Sequence, residues 1–322
     1  MNIPVTNGRL ANVSTSIGAS CVLRRLPIIR SFGQTSPSYH TGSILENRLG
    51  LQVARTLGKQ IVRGLRRQGV AADIAEYVTV LERDGVLVIP NFLSNEQFCD
   101  VVGEFQEANR GVPLVPYKTV SNAKLYRTQL TVDDAPDKYP TIRKHFQENE
   151  LLDRIAAAVL KRKITRRPDV LLDTYRSIDE TCIDNDTENI LHADLHTPTV
   201  KMFFYLNDVD EKNGAFVYAK GSHNLTIARL IHEYDLSVRE AKLKKGVPIP
   251  DALLERRATQ ARNIIRPIHR KRMKVVETRF GVEPNTLVVA NNMGFHRRGE
   301  FSASRPRMAL LINYRKSERL FL

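Results

Sequence analysis

Any fold of this chain has to accommodate a histidine and an aspartate two residues apart, and a second histidine far downstream. In His192-Ala193-Asp194 the two polar side chains point to the same side if the segment is extended, because residues i and i+2 of a strand share a face. Two imidazoles and one carboxylate hold non-haem Fe(II) on one side and leave its other positions open. His296 is the candidate third ligand, and its strand must then lie beside that of His192.

The short motif leaves one alternative open. His196 also lies two residues from Asp194, so Asp194 and His196 could be the neighbouring metal ligands instead.

The residues after the motif support a metal site built on strands. The run that follows, residues 200–206, is rich in β-branched and aromatic residues and predicts a strand. Turn-forming residues at 207–208 and 213–214 then separate it from a second predicted strand, residues 215–218.

Three segments together resemble the phytanoyl-CoA dioxygenase family of Fe(II)/2-oxoglutarate oxygenases. They are GVLVIPNFLSNEQF at 85–98, LHADLHTPTVKMFFYLNDVDEKNGAFVYAKGSH at 191–223 and TLVVANNMGFHRRGEFSASRPRMALLINYR at 286–315. The resemblance covers roughly residues 70–315. It implies that His192, Asp194 and His296 bind Fe(II), and that 2-oxoglutarate and O2 are the co-substrates.

The resemblance also implies that Arg307 pairs with the distal carboxylate of 2-oxoglutarate. A guanidinium suits this role because it is permanently charged and its planar fork matches a carboxylate. Arg305 would share its strand face and is the alternative, but the apolar run 308–312 favours Arg307 as the residue carried into the barrel. Tyr175 and Arg176 are further candidates for lining the oxoacid pocket.

Asp194 bears on the type of reaction. Related halogenases replace this carboxylate with a small residue, so its presence favours hydroxylation with release of succinate and CO2. The expected substrate is a small or lipid- or carrier-linked molecule with an anionic group. Arg297 and Arg298, directly after the distal histidine, depart from the family pattern, and they either bind such a group or face solvent.

The pattern of elements predicts a mainly β fold with flanking helices, whose core is a double-stranded β-helix of the jelly-roll, cupin-like type. Residues 1–42 form a basic, disordered tail in this interpretation, and 43–322 form a single oxygenase domain. Within it, helices at 43–110 support a jelly-roll core at 111–322, which a basic helical insertion at 224–283 interrupts.

Local signals predict the elements around the site. Gly85 is expected to end a helix that begins near residue 71, and Ser94 with Gln97 forms a capping box that starts a helix to about Asn109. Cys99 falls in the apolar pattern of that helix and is expected in the core. Strands are predicted at 86–89, 125–132 and 170–178, and a helix at 151–161.

An amphipathic helix is predicted where apolar residues recur every four positions, at Leu45, Leu49, Val53, Leu57, Ile61 and Leu65. Basic residues lie off this stripe. Such a helix can lie on an anionic membrane, but the favoured interpretation is that the stripe packs on its own domain.

The excess positive charge is concentrated in the insertion. Residues 239–274 contain twelve Lys or Arg against three acids, a net +9 within a chain total of +14. This segment can attract an anionic partner, although sparse aromatic residues disfavour nucleic acid. The alternative function is a catalytically silent jelly-roll binding protein that uses the insertion to engage nucleic acid, membrane or protein.

The first 45 residues contain no acid and four arginines. This composition fits a basic tail, with a cytoplasmic location, or a mitochondrial transit peptide. The sequence predicts no transmembrane segment. Three cysteines with no close pair argue against zinc and dithiol chemistry and indicate a reducing compartment.

Overall fold

The computed structural model describes residues 42–66, 69–117, 125–177, 187–249, 263–301 and 305–314. The N-terminal segment up to residue 41, including Cys21, lies outside the described residues. Cys182 and residues 250–262 of the basic insertion lie outside them as well.

Twelve strands in the described residues pair into two antiparallel sheets. The larger sheet has the order β1-β10-β6-β12-β4-β3-β2, and the smaller has the order β8-β5-β11-β7-β9. The strands are β1 (Val86–Ile89), β2 (Val115–Pro116), β3 (Leu125–Thr131), β4 (Asp169–Ser177), β5 (His192–Ala193), β6 (Val200–Tyr205), β7 (Phe216–Ala219), β8 (Asn263–Ile264), β9 (Glu277–Phe280), β10 (Thr286–Asn291), β11 (His296–Arg298) and β12 (Arg307–Tyr314).

The two sheets face each other across a shared apolar core. Tyr205, Val288 and Ala309 from the larger sheet pack with Phe216 and Tyr218 from the smaller one. Facing antiparallel sheets with non-consecutive neighbours are the jelly-roll arrangement, so the predicted mainly β fold class is confirmed.

Helices cover the outer faces. They are α1 (Ile44–Arg48), α2 (Leu51–Leu65), α3 (Ala75–Asp84), α4 (Asn95–Asn109), α5 (Pro140–Ile142), α6 (Glu150–Leu160), α7 (Ile227–Lys244) and α8 (Pro267–Arg272). Short 3-10 turns lie at Ala72–Ile74, Val132–Asp134, Pro136–Lys138 and Thr187–Asn189, and a π turn at Arg143–Gln147 follows α5. A second, larger apolar cluster joins α3, α4 and α6 to the larger sheet, with Val78, Phe105, Leu152 and Phe204 among its members.

Most local signals are confirmed by the structure. Gly85 caps α3 with a left-handed φ of 78°. The Ser94 hydroxyl accepts from the Gln97 backbone N–H, and the Gln97 side chain accepts from the Ser94 N–H, which completes the capping box. The predicted burial of Cys99 is wrong, because this residue lies on the exposed side of α4.

The expectation that the leucine stripe packs on its own domain is also wrong. The segment is two helices, because Gly50 adopts a left-handed φ of 78° between α1 and α2. The stripe is exposed, with Leu65 at 77% and Leu49 at 71% of full accessibility. The polar side of α2 is buried instead, through Gln52, Arg55, Thr56 and Lys59.

The basic insertion adds strands to the smaller sheet as well as helices. β9 pairs with β7 at one edge of that sheet, and β8 pairs with β5 at the other. No helix of the described chain is both long and apolar enough to cross a membrane.

Gly85 and Gly103 give a matched pair of predictions for stability. A Cβ at Gly85 would lie 2.4 Å from His223 Nδ1 and would need a strained positive φ, so Gly85→Ala should lower the free energy of unfolding by about 1–3 kcal/mol. Gly103 lies inside α4 with open space around it, so Gly103→Ala should raise this free energy by about 0.5–1 kcal/mol. Urea unfolding measures both, and equal effects would contradict this account of Gly85.

Candidate metal centre

Antiparallel pairing of β5 with β11 brings the two distant histidines together. His192 and His296 lie directly opposite each other in the register, and their ring centroids are 4.8 Å apart. Asp194 comes immediately after β5, and its backbone N–H donates to the carbonyl of Asn292, in the turn after β10, at 3.3 Å. Both imidazoles are buried, and the Asp194 side chain is only partly accessible.

One oxygen of Asp194 faces both imidazoles. Its Oδ1 lies 3.5 Å from Nε2 of His192 and 3.6 Å from Nε2 of His296. The ligand atoms of the three residues all lie within 4.8 Å of one another. Imidazole nitrogen and carboxylate oxygen bind metals at about 2.0–2.2 Å, so ligand atoms with these separations can surround one ion after small side-chain movements.

The backbone fixes which nitrogen each imidazole turns towards the aspartate. Nδ1 of His192 lies 2.7 Å from the carbonyl of Ile190, and Nδ1 of His296 lies 3.0 Å from the carbonyl of Gly294. Because a carbonyl can only accept, each Nδ1 must carry the proton and donate. Both Nε2 lone pairs are therefore left for a metal, the arrangement usual for histidine ligands.

Asp194 is held as a carboxylate by its neighbours. Its Oδ2 accepts from Lys201 Nζ at 2.8 Å and from Asn292 Nδ2 at 3.0 Å, which leaves Oδ1 on the histidine side. Burial raises the pKa of Asp194, but the Lys201 ammonium beside its Oδ2 favours the carboxylate and holds this pKa well below its usual range. Burial lowers the pKa of His296, which favours its neutral form.

His196, the alternative partner of Asp194, lies outside this cluster. Its Nε2 is 3.4 Å from Nζ of Lys59, a buried residue of α2. Among the residues that the structure describes, the group of three that could hold one ion consists of His192, Asp194 and His296.

Arg307 begins β12 in the larger sheet and its side chain is buried, 6% exposed. Its Nη1 donates to the carbonyl of Gly214 at 2.7 Å, and its guanidinium carbon lies 4.6 Å from the centroid of the Tyr175 ring. Arg305 is half-exposed and pairs with Asp210 on the surface. Of the two candidate arginines, Arg307 is the one that points into the barrel.

The arginines after the distal histidine have opposite orientations. Arg297 pairs with Glu277 of β9 at 2.7 Å, whereas Arg298 is buried and lies 4.9 Å from the same Tyr175 ring that Arg307 contacts. Strand alternation explains this, because Arg298 shares the face of His296 and Arg297 does not. Burial lowers the pKa of Arg298 to about 10. Arg176, a sequence candidate, is exposed.

The sequence analysis did not predict Lys201 and Asn292 as the hydrogen-bond partners of Asp194, or Lys59 as the neighbour of His196. Lys201 gave a usable signal, since it is a lone cation inside an otherwise apolar strand, seven residues after Asp194. Asn292 and Lys59 gave none, because only the tertiary fold brings them near this aspartate and His196.

Residues 81–237 match the family model described as "Phytanoyl-CoA dioxygenase (PhyH)". The match covers just under half of the chain, and over this segment the chain is similar to the phytanoyl-CoA dioxygenase family. The similarity indicates a 2-oxoglutarate-dependent oxygenase that uses iron, 2-oxoglutarate and O2. The match includes His192 and Asp194 and ends before His296 and Arg307. A search of curated proteins found no match.

Several solved structures have a similar shape. One is SnoK, described as a non-heme alpha ketoglutarate dependent carbocyclase from nogalamycin biosynthesis. It is 16% identical with a TM-score of 0.48, and the alignment covers 74% of this chain and 83% of that one. HygX from Streptomyces hygroscopicus, with nickel and 2-oxoglutarate bound, has 15% identity and a TM-score of 0.41, covering 74% and 85%. EctD from S. alaskensis, with bound Fe, has 14% identity and a TM-score of 0.44, covering 80% and 83%. Likenesses this distant say nothing about this chain's substrate.

Proposed function

We propose that this dioxygenase hydroxylates a small or lipid- or carrier-linked anionic substrate and releases succinate and CO2. In this proposal His192, Asp194 and His296 hold Fe(II), and Arg307 binds the distal carboxylate of 2-oxoglutarate. The observation that carries it is the convergence of two Nε2 atoms and one carboxylate oxygen on one point between β5 and β11.

The donor set fits Fe(II). One carboxylate and two neutral imidazoles occupy one side of an ion and leave the opposite positions open, which suits an oxygenase that must also bind an oxoacid and O2. Lys201 and Asn292 occupy Oδ2 of Asp194, so the carboxylate offers its Oδ1 alone to the ion. The Nδ1 bonds to backbone carbonyls fix both rings before the metal arrives.

Arg307 and Arg298 make a cationic pocket for the oxoacid. Their guanidinium carbons lie 4.6 and 4.9 Å from the centroid of the buried Tyr175 ring, and 5.8 and 5.0 Å from that of Phe301. The buried Asp173 carboxylate lies 3.9 Å from Arg307 and offsets part of this positive charge, and a carboxylate of the oxoacid near both guanidinium groups would offset more of it. We therefore add Arg298 to Arg307 as a group that binds the distal carboxylate.

Iron and 2-oxoglutarate, when bound, supply the activation of O2, with the oxoacid oxidised to succinate and CO2 as one oxygen atom enters the substrate. The protein would bind and orient the reactants, and the buried rings of Phe216 and Tyr218 beside His296 would help to exclude water. The carboxylate of Asp194 occupies the place that a halide would need, so hydroxylation is the proposed outcome.

The anionic character of the substrate is supported by two features. Lys59 is a buried cation beside His196, two residues from Asp194. The segment 239–274 has a net charge of +9, which would concentrate anions near the protein. These two features would also suit the alternative function, a binding protein without catalytic activity. The complete set of candidate metal ligands, His192, Asp194 and His296, favours the enzyme.

Residues 43–322 are proposed to form the single oxygenase domain, and residues 1–42 a basic tail, with a cytoplasmic location. The competing proposal is that the N-terminal segment, which contains no acid, is a mitochondrial transit peptide. Fractionation of cells that express the full chain, with the size of the mature protein, decides between them.

The first test is an anaerobic titration with Fe(II) and 2-oxoglutarate, followed by the visible charge-transfer band of the chelate. The wild-type protein should give the band, and Asp194→Ala should lose it. Asp208→Ala, which removes an exposed carboxylate, should keep it. A folded, metal-loaded wild-type protein without the band would refute the proposal and favour the binding protein.

The histidine assignment has its own test. His192→Ala should abolish Fe(II) binding, whereas His196→Ala should retain it, because His196 faces Lys59 and not the cluster. Isothermal calorimetry with Fe(II) under nitrogen measures both variants. Retained affinity in His192→Ala would overturn the assignment.

The proposed arginine pocket predicts that substituting Arg307 or Arg298 weakens 2-oxoglutarate binding, whereas substituting the nearby Arg305 or Arg297 does not. Arg307→Ala and Arg298→Ala should each raise the Kd of 2-oxoglutarate about 10- to 100-fold, the effect of losing a charge-assisted contact of about 1.5–3 kcal/mol. Arg305→Ala and Arg297→Ala are matched controls that remove arginines paired with Asp210 and Glu277, away from the Tyr175 ring, and should change this Kd less than about twofold. The chelate band, read against 2-oxoglutarate concentration, provides the measurement, and equal effects of Arg297→Ala and Arg298→Ala would rule out the pocket.

A further inference from the structure

The apolar stripe of α1 and α2 is the most unusual surface of the described chain. Five leucine and isoleucine side chains are more than a third exposed, namely Leu45, Leu49, Leu57, Ile61 and Leu65. Leu57, Ile61 and Leu65 recur every four residues and therefore follow one side of α2, while Leu45 lies on α1 and Leu49 is the residue that ends it. Exposed apolar residues that are scattered need no explanation, but a continuous stripe marks a surface that binds something.

The stripe cannot be buried by a rotation of the helices about their axes, because the opposite side of α2 makes buried polar contacts. Arg55 and Lys59 are 1% and 5% exposed on the inner side of α2. The inner side of α7, which packs against α1 and α2, is polar as well, with Arg229 and Glu233 forming a buried ion pair at 2.8 Å. Rotation of α2 would replace these contacts with leucines facing buried charges.

α7 continues the apolar surface. Its Ile227 and Ile231 are 78% and 41% exposed, and Tyr234, one turn further, is 40% exposed. The Tyr234 hydroxyl donates to the carbonyl of Arg48 at the end of α1, which joins the two helices at the surface. The helical face is therefore defined here as the exposed sides of α1, α2 and α7.

Cations lie at the ends of the helices that form the helical face. Arg48 is exposed at the end of α1, and Lys244 and Lys245 are exposed at the end of α7. α8 packs against α7 and adds exposed Lys271 and Arg272. Of the three acids of α7, Glu233 is buried against Arg229, Asp235 pairs with Arg266, and Glu240 is only partly exposed.

We propose that the helical face docks on an anionic phospholipid bilayer, with α1, α2 and α7 lying in the plane of the lipid surface. Apolar side chains would enter the boundary between headgroups and acyl chains, and the cations at the helix ends would contact anionic headgroups. Charge complementarity favours this occupant over a second copy of the chain, because a two-fold contact would bring two sets of the same cations to one interface.

The position of this face suits the reaction. The inner side of α2 carries Lys59, which contacts His196 beside Asp194, so about one helix diameter, 10–12 Å, separates the lipid surface from the neighbourhood of the site. If the proposed function holds, a lipid-linked anionic substrate would reach the iron from the membrane. Docking itself does not depend on the reaction.

Flotation of the full-length protein with vesicles tests docking. Wild-type protein should float with vesicles of phosphatidylcholine containing 30% phosphatidylserine, should float less at high salt, and should stay in solution with phosphatidylcholine alone. Leu49→Gln/Ile61→Gln/Leu65→Gln should weaken binding about tenfold or more, since it removes apolar side chains that would enter the membrane. Lys271→Gln/Arg272→Gln should weaken binding to the anionic vesicles and make the remaining binding less sensitive to salt.

One single substitution on α2 and one on β2 provide the matched control. Ile61 and Val115 are 62% and 51% exposed, but Val115 lies on β2, in the larger sheet. Ile61→Gln should weaken vesicle binding, and Val115→Gln should not. Because both side chains are exposed, both variants should keep the wild-type unfolding midpoint.

Three results would overturn the proposal. The first is no flotation of wild-type protein at any phosphatidylserine content, as expected if residues 1–41 cover the stripe. The second is equal flotation of wild type and Ile61→Gln, as expected if another basic segment binds the vesicles. The third is a wild-type protein that is a dimer by light scattering and a triple variant that is a monomer with unchanged vesicle binding. This result would show that the helical face binds a second copy of the chain. The chelate band of the same variants reports the iron site independently, so failure of docking and failure of the proposed function are distinguishable.

Discussion

The site depends on one antiparallel pair, His192 of β5 opposite His296 of β11. Residues directly opposite in an antiparallel ladder point to the same side, so the ladder fixes where both imidazoles lie. Each ring then donates from Nδ1 to the carbonyl two residues before it, Ile190 or Gly294, and this fixes its rotation. Backbone hydrogen bonds, and not side-chain packing alone, therefore aim both Nε2 atoms at Asp194.

The carboxylate is placed by the other sheet. Lys201 of β6 and Asn292, just after β10, hold Oδ2 of Asp194, and both strands belong to the larger sheet. The hydrogen bonds of Asp194 thus link the smaller sheet, which carries the candidate ligands, to the larger one. Their arrangement consequently depends on the apolar core in which Tyr205 and Val288 pack against Phe216 and Tyr218.

Polar contacts outside the barrel explain the unusual helices. Arg229 of α7 pairs with Glu233 and donates to the carbonyls of Ser222 and Met293, so it ties this helix to the turn that precedes His296. Its guanidinium also lies 4.2 Å from the ring centroid of Phe295. α2 packs on this polar layer with its own charged side, and the exposed stripe of Leu49, Ile61 and Leu65 is the consequence.

The sequence determined the elements and the candidate ligands, because capping residues, strand alternation and the His-x-Asp spacing act over a few residues. It predicted the strands on both sides of the site, the Ser94 capping box and Gly85. The tertiary structure decided what depends on neighbours distant in the chain. It separated Arg298 from Arg297 and Arg307 from Arg305, turned His196 towards Lys59, and reversed the expected orientation of α2. Periodicity locates an apolar stripe, but which side of a helix is buried depends on what its neighbours present, and here they present charges.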